Sequence, residues 1–139
     1  MTEIHYITEK DLQFWQKLDK HISKTELEKK IRDKQGYVIF ADSKPVGILR
    51  YNLFWDNTPF CNMLYIEEEY RFKGFGRLLM QNWEAEMKSI GYGMLMTSTQ
   101  SDETAQHFYR KLGYIDAGAL LINIPKFAQP AELFFIKEI

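Results

Sequence analysis

The chain carries one cysteine, Cys61, in 139 residues. No internal disulfide can close, and a reducing, cytoplasmic setting is expected. No cysteine–histidine arrangement activates that thiol, so Cys61 reads as a small buried hydrophobe on a strand. Neither charge is in excess: 18 Lys and Arg against 19 Asp and Glu leave a formal charge of −1. That balance argues against nonspecific nucleic-acid binding, which draws most of its affinity from phosphate neutralisation. No apolar run approaches the ~18 residues a spanning helix needs, and Met1–Tyr6 lacks the basic and then apolar regions of a signal peptide. Neither membrane nor nucleic acid is therefore an expected partner. No His/Cys/Asp cluster has metal-ligand spacing, so no metal is expected. Repeats, linkers and low-complexity segments are also missing. A length of 139 residues with 45% hydrophobic and 27% charged residues fits one globular domain, residues 1–139.

What is present centres on Leu64–Ile90. A short apolar run, Met63–Ile66, leads into Glu67-Glu68-Glu69 and then Arg71-Phe72-Lys73-Gly74-Phe75-Gly76. An amphipathic helix follows, with Phe75, Leu79, Trp83, Met87 and Ile90 placed on one face. A helix start leaves its first N–H groups without partners, and the helix dipole makes that end positive. Two glycines one residue apart permit φ > 0 and close approach of a ligand to the backbone. Arg71, Lys73 and Arg77 add positive charge. The combination suits a phosphate or pyrophosphate; a plain strand-to-helix turn is the competing reading. Two known phosphate loops fail. A Walker loop needs Lys-Ser/Thr after its last Gly, and Arg77-Leu78 stand there. A dinucleotide fingerprint needs a small residue where Leu79 sits.

Arg71–Gly76 resembles the Gln/Arg-x-x-Gly-x-Gly/Ala loop of the GNAT N-acetyltransferase superfamily. Ala105-Gln106-His107-Phe108-Tyr109-Arg110-Lys111-Leu112-Gly113-Tyr114 resembles that family's Ala-x-x-Phe-Tyr-x-Lys-x-Gly-Phe/Tyr segment. The two motifs stand in the family order, and the resemblance covers nearly the whole chain. It implies an α/β fold with a mixed, mostly antiparallel central sheet and helices on both faces. It also implies transfer of an acetyl group from acetyl-CoA to a primary amine of a small molecule or protein. By the same resemblance, the backbone of Leu64 and Ile66 would pair with the pantetheine arm. N–H groups from Phe72 to Arg77 (Phe72, Lys73, Gly74, Phe75, Gly76, Arg77), following Arg71, would hold the pyrophosphate. Tyr109 would protonate the departing thiolate. Relatives often carry Asn seven residues before that Tyr. Asp102 stands there instead; it can cap a helix but cannot donate as an amide does. Relatives also often carry a base on the strand before the loop. Here the strand has no carboxylate, and Glu67, just past it, is the nearest candidate; a solvated charged turn is the other reading. His107 reads as a surface residue. A noncatalytic acyl-CoA-binding module is the alternative function. A homodimer through the C-terminal strands is a further expectation of the family.

Local patterns predict the order βααβββαβαββ. Ile4–Ile7 is a first strand. Thr8 and Asp11 open a helix through Lys20 that carries Leu12, Trp15 and Leu18 inward. Ser23 or Thr25 caps a second helix, ended by Gly36. Tyr37–Ala41, Val46–Trp55 and Phe60–Ile66 are antiparallel strands joined by turns at Asp42–Pro45 and Asp56–Pro59. Tyr51, Phe54, Trp55 and Phe60 are candidates for an aromatic acceptor trough, or for core. Met94–Thr99 is a strand parallel to Phe60–Ile66. Asp102 caps a helix to about Leu112. Strands Tyr114–Ile124 and Leu133–Ile136 close the chain.

Overall fold

The computed structural model describes residues Met1–Ile139. Seven strands form one mixed sheet: β1 (Thr2–Tyr6), β2 (Gly36–Ala41), β3 (Lys44–Phe54), β4 (Thr58–Ile66), β5 (Met94–Gln100), β6 (Ile115–Leu120) and β7 (Glu132–Glu138). Their spatial order is β1-β2-β3-β4-β5-β7-β6. Every neighbouring pair is antiparallel except β4 with β5. Four helices flank the sheet: α1 (Leu12–Leu18), α2 (Lys24–Asp33), α3 (Phe75–Ile90) and α4 (Ala105–Lys111). The mixed, mostly antiparallel architecture and the element order are those expected.

The period-2 pattern of the strands splits the core in two. Odd-numbered β3 residues such as Leu49 and Tyr51 join Leu79, Met80, Trp83 and Met87 of α3 and Tyr109 of α4. Even-numbered Ile48 packs on the other face with Val38, Trp15 of α1 and Leu27 of α2. Tyr51 thus belongs to the core under α3 rather than to an acceptor trough. α3 buries Met80 together with Leu79, Trp83 and Met87, while Ile90, expected on the inward face, is exposed. The reason is geometric: Met80 adjoins Leu79 on the broad face that meets the sheet, and Ile90 lies in the final turn, beyond the sheet's cover.

Several boundaries move for local reasons. Thr8 donates its N–H to Asp11 Oδ2 at 2.8 Å, but that box opens a short 3-10 turn at Glu9–Asp11, and α1 stops at Leu18. Ser23 caps α2, its Oγ accepting from the Glu26 N–H at 3.2 Å. α2 is closed not by Gly36 but by Lys34, which takes the left-handed conformation at φ 56°. Gly36 already belongs to β2, where a Cβ would sit 2.9 Å from Ile7 Cγ2; the glycine serves close packing there. The β2–β3 and β3–β4 turns put Asp42, Ser43, Trp55 and Asp56 at positive φ, so Pro59 falls within β4. β6 ends at Leu120, and Pro125–Phe127 forms a 3-10 turn.

Candidate functional site

One extra residue in β4 creates the site. Arg50 pairs with Met63 and Tyr51 with Cys61, so Asn62 is bulged out. A bulge bends and twists its strand. β4 then meets β5 only at Phe60–Met96 and Cys61–Thr97. Beyond Cys61 the two strands part. The Glu67 N–H bonds to Val46 O on β3 at 2.8 Å. By strand alternation, Tyr65 and Met63 face β3 as well, and the N–H groups of Leu64 and Ile66 point the other way, into the gap.

Tyr109 stands at the foot of the gap. Its α4 helix packs its ring against Tyr114 and Phe135, with centroids 5.9 and 6.0 Å away, and its hydroxyl lies beside that of Thr97. Thr97 in turn donates to Cys61 O at 3.1 Å, at the last paired position of the two strands. Burial pushes the Tyr109 phenol well above its usual pKa, so the phenol keeps its proton at neutral pH. Burial also pushes the Cys61 thiol up to about 12, which leaves it an inert thiol.

Ile66 leads into the loop. Arg71 Nε donates to Ile66 O at 2.9 Å, and its guanidinium stacks 5.0 Å over the Tyr65 ring. Arg71 therefore ties the loop back to the strand end. Phe72 has φ 62° and its side chain stands fully in water. Lys73 lies over the Tyr70 ring at 5.5 Å. Gly74 is the residue before α3, at φ 87°, the left-handed region that disfavours a Cβ. Gly76 is less constrained: an added Cβ would meet Phe108 at an ordinary 3.5 Å. No side chain caps α3, so Phe75, Gly76 and Arg77 present the unpaired N–H groups of a helix start. Arg77 is exposed beside them.

A cleft of about 390 Å³ lies between the parted strands, with Tyr109 and Leu64 in its wall. It also contains residues that local sequence did not single out: Lys20 and His21 from the α1–α2 connection, Ser98 of β5, Glu103, and Glu132 of β7. Ser98 Oγ donates to Glu132 Oε2 at 2.7 Å. Glu67 lies elsewhere. It borders a separate shallow depression with Lys17 and Leu18, and its Oε1 pairs with Lys17 Nζ at 3.1 Å. Asp102 does not cap α4. The residue before that helix is Thr104; a turn through Glu103 N–H to Gln100 O at 3.0 Å delays the helix start. Asp102 is exposed in that turn, and His107 is exposed on α4. No group of three or more His, Cys, Asp or Glu side chains is placed to hold a metal, and no helix is long and apolar enough to cross a membrane.

The connection that brings Lys20 and His21 to the cleft is pinned by Asp19, which is buried. Its carboxylate accepts from Arg50 Nε at 2.6 Å, Arg50 Nη2 at 3.4 Å, Trp15 Nε1 at 3.1 Å and the His21 N–H at 3.2 Å.

A family model described as "Acetyltransferase (GNAT) family" matches residues 3–114. No curated protein sequence matches the chain. Solved structures do. Ard1 from Thermoplasma volcanium has a TM-score of 0.86 at 14% identity, over 99% of this chain and 97% of that one. A ribosomal-protein-alanine N-acetyltransferase from Brucella melitensis has a TM-score of 0.83 at 20% identity, over 99% of each chain. Naa50 from Arabidopsis thaliana, in complex with the bisubstrate analogue CoA-Ac-MVNAL, has a TM-score of 0.80 at 14% identity, also over 99% of each. At these identities the likeness establishes the fold.

Proposed function

The chain belongs to the GNAT acetyltransferase family, and from that premise we propose that it moves the acetyl group of acetyl-CoA onto a primary amine of a small molecule or protein. The observation that carries the reading is the parting of β4 from β5 beyond Cys61, with a cleft there walled by Leu64 and Tyr109, on the strand that leads into the uncapped start of α3. In this reading the N–H groups from Phe72 to Arg77 hold the pyrophosphate, because a helix start and a left-handed Gly74 offer several donors to one anion. Lys73 and Arg77 add charge. Arg71 supports the loop chiefly through its bond to Ile66 O. The N–H groups of Leu64 and Ile66 take the pantetheine arm as a neighbouring strand would, and one of them polarises the thioester carbonyl. Tyr109 gives its proton to the departing sulfur. Relatives of this fold include one whose name gives a ribosomal-protein alanine as acceptor and one solved with a CoA–peptide analogue. Both support an amine acceptor.

Asp102, at the turn before α4, has no contact that favours a cofactor role over simple exposure. Glu67 is the weaker candidate for a base, since Lys17 already neutralises it.

The test is thermal unfolding with acetyl-CoA, and with NAD and ATP as controls. A ligand that binds only the native state at a hundredfold excess over Kd stabilises by about 2.7 kcal/mol, a rise of several degrees at this size. Thiol release with primary amines then reads turnover. A specific acetyl-CoA shift with turnover supports the enzyme. A shift with no turnover on any amine favours the noncatalytic acyl-CoA-binding module. No shift at millimolar acetyl-CoA refutes the reading.

A further inference from the structure

The two faces of the sheet reach the gap with different chemistry. Tyr109 comes from the face covered by α3 and α4, in the same packed cluster as Phe135. Glu132 comes from the opposite face. On β7 it alternates with Phe134 to the same side, while Leu133 and Phe135 turn to the Tyr109 side. The β5 partners agree: Gln100 pairs with Glu132 and Ser98 with Phe134, and Ser98, Gln100 and Glu132 all line the cleft.

Glu132 is the best-prepared carboxylate there. Its Oε2 is fixed by Ser98 Oγ at 2.7 Å. Its Oε1 has only a long contact, 3.4 Å, from Gln129 Nε2, and so keeps its capacity to accept. Glu103, the other carboxylate of the cleft, is exposed. Beyond Glu132 on the same face runs a row of aromatic rings. Phe134 is two residues along β7, about 7 Å away. Phe60 follows at 5.8 Å from Phe134, Phe54 at 5.9 Å from Phe60, and Trp55 at 4.6 Å from Phe54. Phe60 is buried at 6% exposure, Phe54 and Phe134 are half-buried, and Trp55 is 73% exposed. A carboxylate followed by an apolar row is complementary to a cation on an apolar body, and it disfavours an anion beside the amine.

Resting on the acetyl-transfer reading above, we propose that Glu132 receives the acceptor amine and its proton, and that Phe134 and Phe54, backed by the buried Phe60 between them, carry the apolar body of that acceptor. The acceptor is an arylalkyl or alkyl amine without a carboxylate next to the nitrogen. The ammonium gives one proton to Glu132 Oε1, and the free amine attacks the thioester carbon. A C–N bond forms and the C–S bond breaks. The leaving sulfur takes the Tyr109 proton, and Tyr109 regains one, through water, from the surplus N–H of the new amide. Glu132 passes its proton to solvent, so each turnover releases one proton. The amine approaches from the open face while the thioester lies on the Tyr109 side, and the gap lets them meet.

The experiment compares 2-phenylethylamine with phenylalanine as acceptors, by thiol release from acetyl-CoA. The two share a ring and an amine and differ by a carboxylate. Acetyl-CoA binding is first measured alone by thermal shift, for wild type, Glu132→Gln, Ser98→Ala and Phe134→Ala. The expected result is turnover of 2-phenylethylamine with kcat/KM at least about tenfold above that of phenylalanine. Glu132→Gln lowers it by about 10²-fold, with an unchanged acetyl-CoA shift. Ser98→Ala, which only frees the carboxylate, lowers it less. Phe134→Ala raises KM for the amine and spares kcat. Lys20, His21, Glu103, Cys61, Tyr65 and Tyr109 also face the cleft, so the role of Glu132 is read from the rate lost in Glu132→Gln while the acetyl-CoA shift holds. Equal use of both acceptors, use of neither, or a wild-type rate in Glu132→Gln overturns the proposal while acetyl-CoA binding stands. Failure of wild type to bind acetyl-CoA overturns the underlying reading instead, and is seen before any amine is added.

Discussion

Asp19→Asn is the most demanding test of how the cleft wall is held. The Asp19 side chain is fully buried and the Arg50 side chain is 12% exposed. Four donor contacts converge on this one carboxylate: two from Arg50, one from the Trp15 indole and one from the His21 backbone. Asn keeps the shape and removes the charge. It also turns an amide N–H₂ toward groups that are themselves donors. Breaking one side of a buried pair costs about 3–5 kcal/mol, because the remaining charge stays buried without compensation. At this chain length 1 kcal/mol moves the midpoint by roughly 3–4 °C, so a drop of about 10–20 °C is expected in a thermal melt followed by circular dichroism. The double variant Asp19→Leu with Arg50→Met removes both charges and should recover part of the loss. It cannot recover all, since the Trp15 N–H stays unpaired at about 1–3 kcal/mol. In turnover assays Asp19→Asn should raise KM for the amine more than KM for acetyl-CoA, because Asp19 anchors Lys20 and His21 rather than the Gly74 loop. A midpoint drop under about 3 °C, or a double variant no better than the single, would refute the reasoning.

Three other outcomes are expected. Gly74→Ala places a Cβ in open space but at φ 87°, so it should cost about 1–2 kcal/mol of backbone strain and weaken acetyl-CoA binding; an unchanged melt and an unchanged titration would contradict this. Tyr109→Phe keeps the Thr97 bond to Cys61 O and the ring packing, so kcat should fall about 10²-fold while calorimetric acetyl-CoA affinity holds; full activity would remove Tyr109 from the chemistry. Stability should decline above pH 9, because Cys61 rises from 9.0 to about 12 and Tyr51 from 10.0 to about 12, both chiefly by burial. The native chain holds these protons while the unfolded chain releases them, so stability is whole below pH 9 and is lost toward pH 12. Cys61→Ala should flatten the first part of that slope in urea titrations, and an identical slope would count against the buried thiol.

Much of the fold was legible because its signals are local. Ser23 as the cap of α2 and the apolar stripe of Leu79, Trp83 and Met87 on α3 act within a few turns of chain. The turn at Gly74 before α3 and the position of Tyr109 within α4 follow the same local order. The misplaced ends came from competition between neighbours. Lys34 adopts the left-handed turn expected of Gly36, while Gly36 packs against Ile7 and Trp15. Asp102 looked like a cap, but Thr104 precedes the helix because the Gln100 carbonyl draws the Glu103 N–H into a further turn. Glu132 and Ser98 could not be found from spacing. They are 34 residues apart and meet only because β7 inserts between β5 and β6, a long-range pairing with no local signature. Alternation along Glu132–Glu138 was the available hint, setting Glu132 and Phe134 on one side and Leu133 and Phe135 on the other. The three consecutive glutamates drew attention to Glu67, whose neutralising Lys17 lies 50 residues earlier in the chain.

The two paired positions between β4 and β5 divide the sheet mechanically. One plate holds four strands, β1 to β4, and the other holds β5, β7 and β6. Two rungs at one end of a seam give little resistance to shear, so the seam is expected to be the most compliant line in the sheet. A thread laid along the seam and bonded to β4 would stiffen both plates together. Amide exchange in β5 and β7, far from the Gly74 loop, would then slow on binding even though no atom of the thread touches most of those amides.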